Sequence, residues 1–203
     1  MTIEDRKIRE KQALRLEILD AARELFVAEG YENVSMRKIA ERIEYSPTTI
    51  YLYFKDKSEL LQEICETSFT KLADEIRKSQ ELGGTPLEIL RRGMMAYVDF
   101  GLNNPHHYDV VFISPKQKYF NDTGYAYEGS TGQLAFDLLA ESVAECSRAG
   151  VFGPGNNAVI AQTLWAGLHG VTSLLITHEG FPFAERQTLT KSVVDTMIRG
   201  LRR

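Results

Sequence analysis

The segment from Ser46 to Lys57 concentrates hydroxyl, aromatic and basic side chains. If Ile50 and Phe54 point inward, helical spacing leaves most of the other side chains of the segment on the outside. Those outward side chains are Thr48, Thr49, Tyr51 and Tyr53. A tyrosine presents its ring to thymine methyl groups and its hydroxyl to phosphate, and threonine does both on a smaller scale. Lys55 and Lys57 follow where a phosphate strand would pass, so the segment has the chemistry of duplex DNA recognition.

Three helices at the N-terminus would hold this segment in place. Gly30 can take a left-handed cap at low cost, so the first helix should end there. Ser35 can cap a second helix from Met36 to Ile43, and Ser46 followed by Pro47 is a strong start for a third. The inward positions could form a small core of Phe26, Ile39, Ala40, Ile43 and Ile50. The pattern predicts a helix-turn-helix, with a plain three-helix module carrying surface tyrosines as the alternative.

The net charge of −4 does not argue against DNA, because the charge is unevenly distributed. Up to Lys57 the chain has 11 basic and 11 acidic residues, so the whole acidic excess lies beyond that point. Contact with phosphate is governed by local clusters of charge, since salt screens charges that are more than about 10 Å apart. We therefore expect strongly salt-dependent DNA binding despite the acidic balance.

The remaining chain is also predicted to be helical, which gives an all-α protein of about nine helices. The most apolar run, Val159 to Ile176, contains a glutamine, a histidine and two glycines, so we interpret it as a buried helix and not as a membrane span. Residues 114–132 are expected to form a loop. The N-terminal residues have no apolar stretch, and together with the two separated cysteines this favours the cytoplasm.

No sequence pattern predicts a cofactor, a metal ion or an enzymatic reaction. Cys65 and Cys146 lie outside any ligand spacing and are expected to be small buried residues, with redox sensing as the alternative. His106 and His107 are adjacent, and adjacent residues of a helix do not face the same way, so a metal site is not expected. The chain shows no nucleophile paired with a base and no phosphate-binding loop.

The N-terminal motifs resemble the DNA-binding domain of the TetR/AcrR family of transcriptional regulators. The resemblance covers the first 65 residues or so and rests on Ala22–Phe26, Gly30-Tyr31, Ser35, Ile39-Ala40, Ser46-Pro47, Thr49–Tyr51, Tyr53–Lys55 and Lys57–Leu61. It implies base and phosphate contacts by Arg37, Thr48, Thr49, Tyr51, Tyr53 and Lys57, and Ser46 and Lys55 complete the predicted DNA-binding set.

Two residues in the turn before the third helix depart from the family pattern. Glu44 stands where the family usually has a glycine, and Tyr45 replaces a small aliphatic residue. If the turn requires a positive φ, the glutamate costs about 1 kcal/mol relative to glycine. These departures concern the geometry of the turn and not the fold.

The C-terminal part resembles the branch of the family named for its Trp-His-Gly signature, through Asn104–Tyr108 and Leu164–Gly170. Such domains bind an effector and dimerise, so the resemblance implies both roles here. The predicted effector-binding residues are Met94, Tyr97, Tyr108, Phe112, Trp165 and His169. The alternative is that these side chains are simply core, with His169 as a hydrogen-bonded core histidine.

The eighth and ninth predicted helices carry the candidate dimer interface. One face of the eighth helix is bulky around Trp165 and His169, and the opposite face is small. Small faces allow close approach between helices, and two helices from each subunit would form a four-helix interface. The predicted interface residues are Ala166, Gly167, Gly170, Leu174, Val193 and Met197.

The sequence thus predicts a ligand-responsive repressor that binds a palindromic operator as a homodimer and is released by a small hydrophobic effector. We expect residues 1–57 to form the DNA-binding domain and residues 58–203 the effector-binding and dimerisation domain. Two alternatives stay open: a DNA-binding architectural protein without an effector, and an all-helical enzyme with an aromatic pocket.

Overall fold

The computed structural model describes residues 2–113 and 127–202 and contains nine α-helices within them. Their bounds are α1 Ile3–Glu29, α2 Met36–Arg42, α3 Pro47–Tyr51, α4 Lys57–Glu81, α5 Pro86–Asn103, α6 Pro105–Tyr108, α7 Thr131–Arg148, α8 Asn157–Thr177 and α9 Arg186–Leu201. A 3-10 turn over Tyr31–Asn33 follows α1, and a π-helical turn over Asp109–Ile113 continues α6. The predicted all-α class is confirmed.

Local capping chemistry explains where the helices begin and end. The Ser35 hydroxyl accepts a hydrogen bond from the Lys38 amide, and the Ser46 hydroxyl accepts one from the Thr49 amide. Gly30 follows α1 at φ 79°, a backbone conformation that glycine adopts without strain. These contacts satisfy backbone groups that a helix end leaves without a partner.

The described chain divides into two compact units. Residues 2–68 and 106–113 form the first unit, and residues 69–105 and 127–202 form the second. The boundary at Ser68 falls within α4, so this helix begins in the first unit and ends in the second.

The first unit is built around a small aliphatic and aromatic core from α1 to α4. Its fully buried side chains include Ile18, Ile39, Ile50, Phe54 and Leu60. α1 packs against α2 and against the π-helical turn, and α2 packs against α3. This core fixes the inward face of α3 and therefore determines which of its side chains point outward.

The second unit is a helical bundle centred on α5. This helix packs against α7, α8 and α9, and it buries Leu90, Met94, Tyr97 and Val98. The Arg92 side chain joins α5 to the end of α4: its Nε donates to the Ser79 carbonyl at 2.9 Å, and its Nη2 donates to the Gly83 carbonyl. α5 therefore contacts most of the other helices of the second unit.

Two further expectations concern the loop before α7 and the apolar helix α8. Most of the predicted loop, residues 114–126, falls outside them, and α7 already begins at Thr131 with Ser130 as its cap. By length and composition alone, α8 is the one described helix that could cross a membrane, and core helices of soluble proteins share these properties. α8 buries Leu164, Leu168 and Val171 and packs against α5, α7 and α9, as expected of a core helix.

Candidate nucleic-acid interface

The residues predicted to contact DNA lie on and around α3, and we call this set the α3 surface: Arg37, Ser46, Thr48, Thr49, Tyr51, Tyr53, Lys55 and Lys57. Ile50 and Phe54 are buried beneath it, as predicted. Thr48, Tyr51 and Lys55 are exposed, and the Tyr51 ring is 55% exposed. The outward placement predicted from helical spacing is therefore confirmed for Thr48 and Tyr51, whereas Thr49 and Tyr53 are half-buried.

Ser46 and Thr49 are tied to each other at the start of α3. Their hydroxyl oxygens are 2.9 Å apart, and the Ser46 hydroxyl also accepts from the Thr49 amide at 3.2 Å. Ser46 therefore has a structural role as the N-cap of the helix, and Thr49 is half-buried. Thr48 and Tyr51 are the exposed hydroxyl residues of the α3 surface other than this capping serine.

Lys57 is folded back onto the 3-10 turn that follows α1. Its Nζ donates to the Tyr31 carbonyl at 2.6 Å and lies 4.2 Å from the centre of the Tyr31 ring. Burial lowers the pKa of the Lys57 ammonium, and the nearby Glu32 carboxylate opposes that shift. The sequence prediction of a phosphate contact missed this cation–π contact, which holds the start of α4 against the turn.

The turn before α3 contains Glu44, the residue that departs from the glycine of the family pattern. Glu44 has φ 60°, and it is the only residue other than glycine with a positive φ in the part of the chain that the structure describes. The Tyr45 amide next to it donates to the Ala40 carbonyl at 3.0 Å, which closes the turn. An L residue in this region costs about 1–2 kcal/mol, so the turn keeps the left-handed geometry without the usual glycine.

Basic residues around α3 are mostly engaged in exposed ion pairs. Arg37 Nε lies 2.9 Å from Glu41 Oε1, and Arg42 Nη2 lies 3.1 Å from Glu24 Oε2. Exposed pairs of this kind are worth about 0–1 kcal/mol, so both guanidinium groups can exchange their carboxylate for a phosphate at little cost. The α3 surface therefore combines a capped helix over a buried core with outward hydroxyls and exposed cations.

Comparison with known families assigns both parts of the chain. Residues 18–64 match the family described as bacterial regulatory proteins, tetR family. Residues 90–200, more than half of the chain, match the tetracyclin repressor-like C-terminal domain. The chain belongs to the TetR family of bacterial regulatory proteins.

Relatives of this TetR-family chain include curated regulators and solved structures. An HTH-type transcriptional regulator of Staphylococcus aureus (strain USA300) is 25% identical over 142 residues, which cover 64% of this chain and 77% of that protein. The regulator AcrR of Shigella flexneri is 37% identical over 83 residues, covering 40% of this chain and 39% of AcrR. The fatty acid degradation regulator FadR from Bacillus halodurans has a similar fold, with a TM-score of 0.78, 20% identity and coverage of 93% and 97% of the two chains.

The residues predicted for the effector divide between the two units of the TetR-family chain. Tyr108 and Phe112 belong to the first unit, where their ring centres are 4.8 Å apart. The other four belong to the second unit: Met94, Tyr97, Trp165 and His169. Their common role as effector ligands stays a prediction.

An aromatic cluster gathers around Trp165 in the second unit. The indole Nε1 donates to the Tyr97 hydroxyl at 3.3 Å, and Phe136 meets the indole edge-on at a centroid distance of 6.1 Å. His169 lies 6.2 Å from the indole, and burial lowers the pKa of its imidazole. Trp165 is nevertheless 39% exposed, so the cluster combines neutral polar atoms with an accessible aromatic surface. Phe136 was missed because nothing in the sequence relates it to Trp165.

The six predicted dimer residues do not share one environment. Ala166 and Leu174 are exposed, and the space around Gly170 is open, since a Cβ added there would meet no atom within 4 Å. Gly167 differs, because a Cβ added there would overlap the Sδ atom of Met197 in the same chain. Val193 and Met197 on α9 are half-buried. Gly167 and Met197 therefore pack against each other within the subunit, and the dimer interface itself stays a prediction.

Proposed function

We propose that this TetR-family chain is a ligand-responsive repressor that binds a palindromic operator as a homodimer in the cytoplasm. The observation that carries the proposal is the α3 surface. A buried core beneath Ile50 and Phe54 holds α3 in place, while Thr48 and Tyr51 point outward. These outward side chains read base edges and phosphates in a major groove, and the neighbouring cations bind the backbone.

The dimer is proposed to form through the outward faces of α8 and α9. Ala166, Gly170 and Leu174 give α8 a small apolar face, and Leu174 is 46% exposed. An isologous four-helix interface would cover this face in both subunits. Two α3 surfaces would then meet half-sites one helical turn apart, about 34–36 Å.

The effector is proposed to be a small hydrophobic compound recognised by aromatic side chains. The cluster of Tyr97, Phe136 and Trp165 offers ring surfaces, and the imidazole of His169 offers a polar atom for orientation. α4 is the candidate for transmitting effector binding to the α3 surface, because this one continuous helix enters both units. Release from DNA requires only that effector and operator favour different positions of this helix.

Selection of DNA from a randomised duplex pool tests the first part of the proposal. The wild-type chain should enrich a palindromic sequence and bind it far more tightly than an unrelated duplex of the same length. Affinity should fall steeply between about 50 and 200 mM salt, as the release of counterions requires. If no sequence is enriched, or if affinity is independent of salt, the proposed function is wrong.

A thermal-shift screen tests the effector. Long-chain fatty acids, sterols and aromatic hydrocarbons serve as probes, since binding to the folded state alone raises the melting temperature. A compound that raises the melting temperature should also lower the affinity for the selected duplex. If compounds bind without changing DNA affinity, or if none binds, the chain acts without an effector and the repressor model fails in that part.

A further inference from the structure

One arginine of α1 holds three separate parts of the first unit. Arg15 Nε donates to Glu63 Oε1 at 3.0 Å, and Nη2 donates to Glu63 Oε2. Arg15 Nη1 donates to the Tyr53 carbonyl at 3.0 Å, and the guanidinium carbon lies 4.3 Å from the centre of the Phe54 ring. α1, the end of the α3 segment and the first turns of α4 thus meet at a single side chain.

The chemistry of the guanidinium makes this junction rigid. Its donors are fixed in one plane, so a carboxylate that binds two of them and a carbonyl that binds a third are held in a set geometry. The Tyr53 carbonyl lies in the turn after α3, two residues beyond the last helical residue, Tyr51. A lysine cannot reproduce the arrangement, because its ammonium is a point charge without a planar fork.

The position of the junction relates it to DNA reading. Tyr53 belongs to the α3 surface, and Tyr51 is two residues away. Glu63 lies on α4, the helix proposed to transmit effector binding to the α3 surface. Any movement of the first turns of α4 relative to α3 must stretch or break the contacts of Arg15, since the same guanidinium binds both.

We propose that Arg15 is a positioning residue that ties the orientation of the α3 surface to α4. The inference rests on the proposed function, because it names the internal contact through which α4 controls DNA reading. Arg15 acts through Glu63 and the Tyr53 carbonyl and does not itself bind a phosphate. This distinguishes it from the other basic residues near the N-terminus, such as Arg6, which is highly exposed.

The substitution Glu63→Gln distinguishes positioning by Arg15 from direct phosphate contact by Arg15, because the two roles predict opposite changes in DNA affinity. If Arg15 bound phosphate, Glu63→Gln would release the guanidinium and remove a negative charge, so DNA affinity would rise. If Arg15 positions α3, Glu63→Gln weakens the junction, so affinity for the operator falls. Arg15→Lys keeps the charge but not the fork, so it should bind phosphate normally and still fail as a positioning residue.

The test compares Glu63→Gln and Arg15→Lys with Glu10→Gln, which neutralises an exposed acid of a simple α1 ion pair. Circular dichroism first establishes a temperature at which all chains are folded. The probes are the duplex that the wild-type chain selects and an unrelated duplex of equal length. Glu63→Gln and Arg15→Lys should each lower the affinity for the selected duplex about tenfold. Neither variant should change the affinity for the unrelated duplex or the slope of the logarithm of affinity against the logarithm of salt concentration. Glu10→Gln should change neither affinity appreciably.

Amide hydrogen exchange of the peptide over residues 47–56 reports the junction without DNA. Exchange should be severalfold faster in Glu63→Gln and Arg15→Lys than in Glu10→Gln, because α3 loses its tie. Unchanged exchange overturns the inference, as does tighter operator binding by Glu63→Gln, or operator binding by Arg15→Lys that is as tight as that of the wild-type chain. If the wild-type chain selects no duplex while exchange still accelerates, the tie is real and the proposed function is wrong.

Discussion

The outward faces of α3 and α8 carry different chemistry, although both helices bury an aliphatic face. Around α3 the exposed side chains include hydroxyl, aromatic and basic groups, as at Thr48, Tyr51 and Lys55, beside the aliphatic Leu52. On one face of α8 they are small or aliphatic, as at Ala166 and Leu174, while Trp165 is exposed on another face. Burial of the inward face folds each helix, and the composition of the outward face decides what it can bind; we propose a polar duplex for α3 and a second apolar helix for α8.

The largest effect is expected from filling the open space at Gly170 on α8, which should weaken the dimer. Gly170→Leu adds a side chain where the proposed partner helix approaches, and the two-fold axis places it at the interface twice. Overpacking costs about 1–3 kcal/mol per site, so the dimer should dissociate at micromolar concentration and operator binding should be lost. Sedimentation measures the oligomeric state. A folded variant that stays dimeric would show that this face does not meet the partner.

Gly167 provides the contrast on the same helix. Gly167→Val should lower the free energy of unfolding by about 1–3 kcal/mol, because its side chain overlaps Met197 within the subunit. In the double variant with Met197→Ala the space is vacated, so part of that loss should be recovered. Thermal unfolding of both variants decides the matter; equal destabilisation by the single and double variants would mean that Met197 is not the obstacle.

A smaller effect is expected in the turn before α3. Glu44→Gly should raise the free energy of unfolding by up to about 1 kcal/mol, because it removes the strain of a glutamate at φ 60°. Glu44→Ala keeps the strain and should give no gain, so it serves as the control. Denaturant unfolding measures both. Equal stability of the two variants would show that the side chain of Glu44, and not its backbone, is what matters.

The smallest effect concerns His169. Burial lowers the pKa of its imidazole in the folded chain, so below the unfolded value near 6.5 the unfolded state binds the proton more readily. Stability should therefore be retained above that pH and decline as pH falls through it. Since the group is only half-buried, screening by solvent keeps this contribution small. His169→Gln should flatten the melting temperature between pH 7 and 5 relative to wild type, and parallel profiles would contradict this.

Local signals explain how much of the fold could be predicted. Gly30, Ser35 and Ser46 act on backbone groups within a few residues, so their caps could be derived from sequence, and the structure contains them. The Arg15–Glu63 contact could not be derived, because the two residues are 48 positions apart and nothing local relates them. The contact of Lys57 with Tyr31 was missed for the same reason.

The candidate site shows the same division between local and tertiary information. Helical spacing correctly predicted that Ile50 is buried and Tyr51 exposed, because the period of a helix determines its faces. Spacing also grouped Gly167 with Gly170, but α9 packs beside only one of them. Which small residue is covered within the subunit depends on the angle between helices, and that angle is not encoded in the pattern of one helix.

Binding of Tyr51→Ala to the selected operator tests the central claim most directly. Tyr51 is exposed and packs into no core, so its loss should leave the melting temperature nearly unchanged. Affinity for the operator should fall by about 1–3 kcal/mol, while affinity for an unrelated duplex stays the same. Equal affinity of wild type and Tyr51→Ala for the operator, with both chains folded and dimeric, would contradict the assignment of the α3 surface to DNA reading.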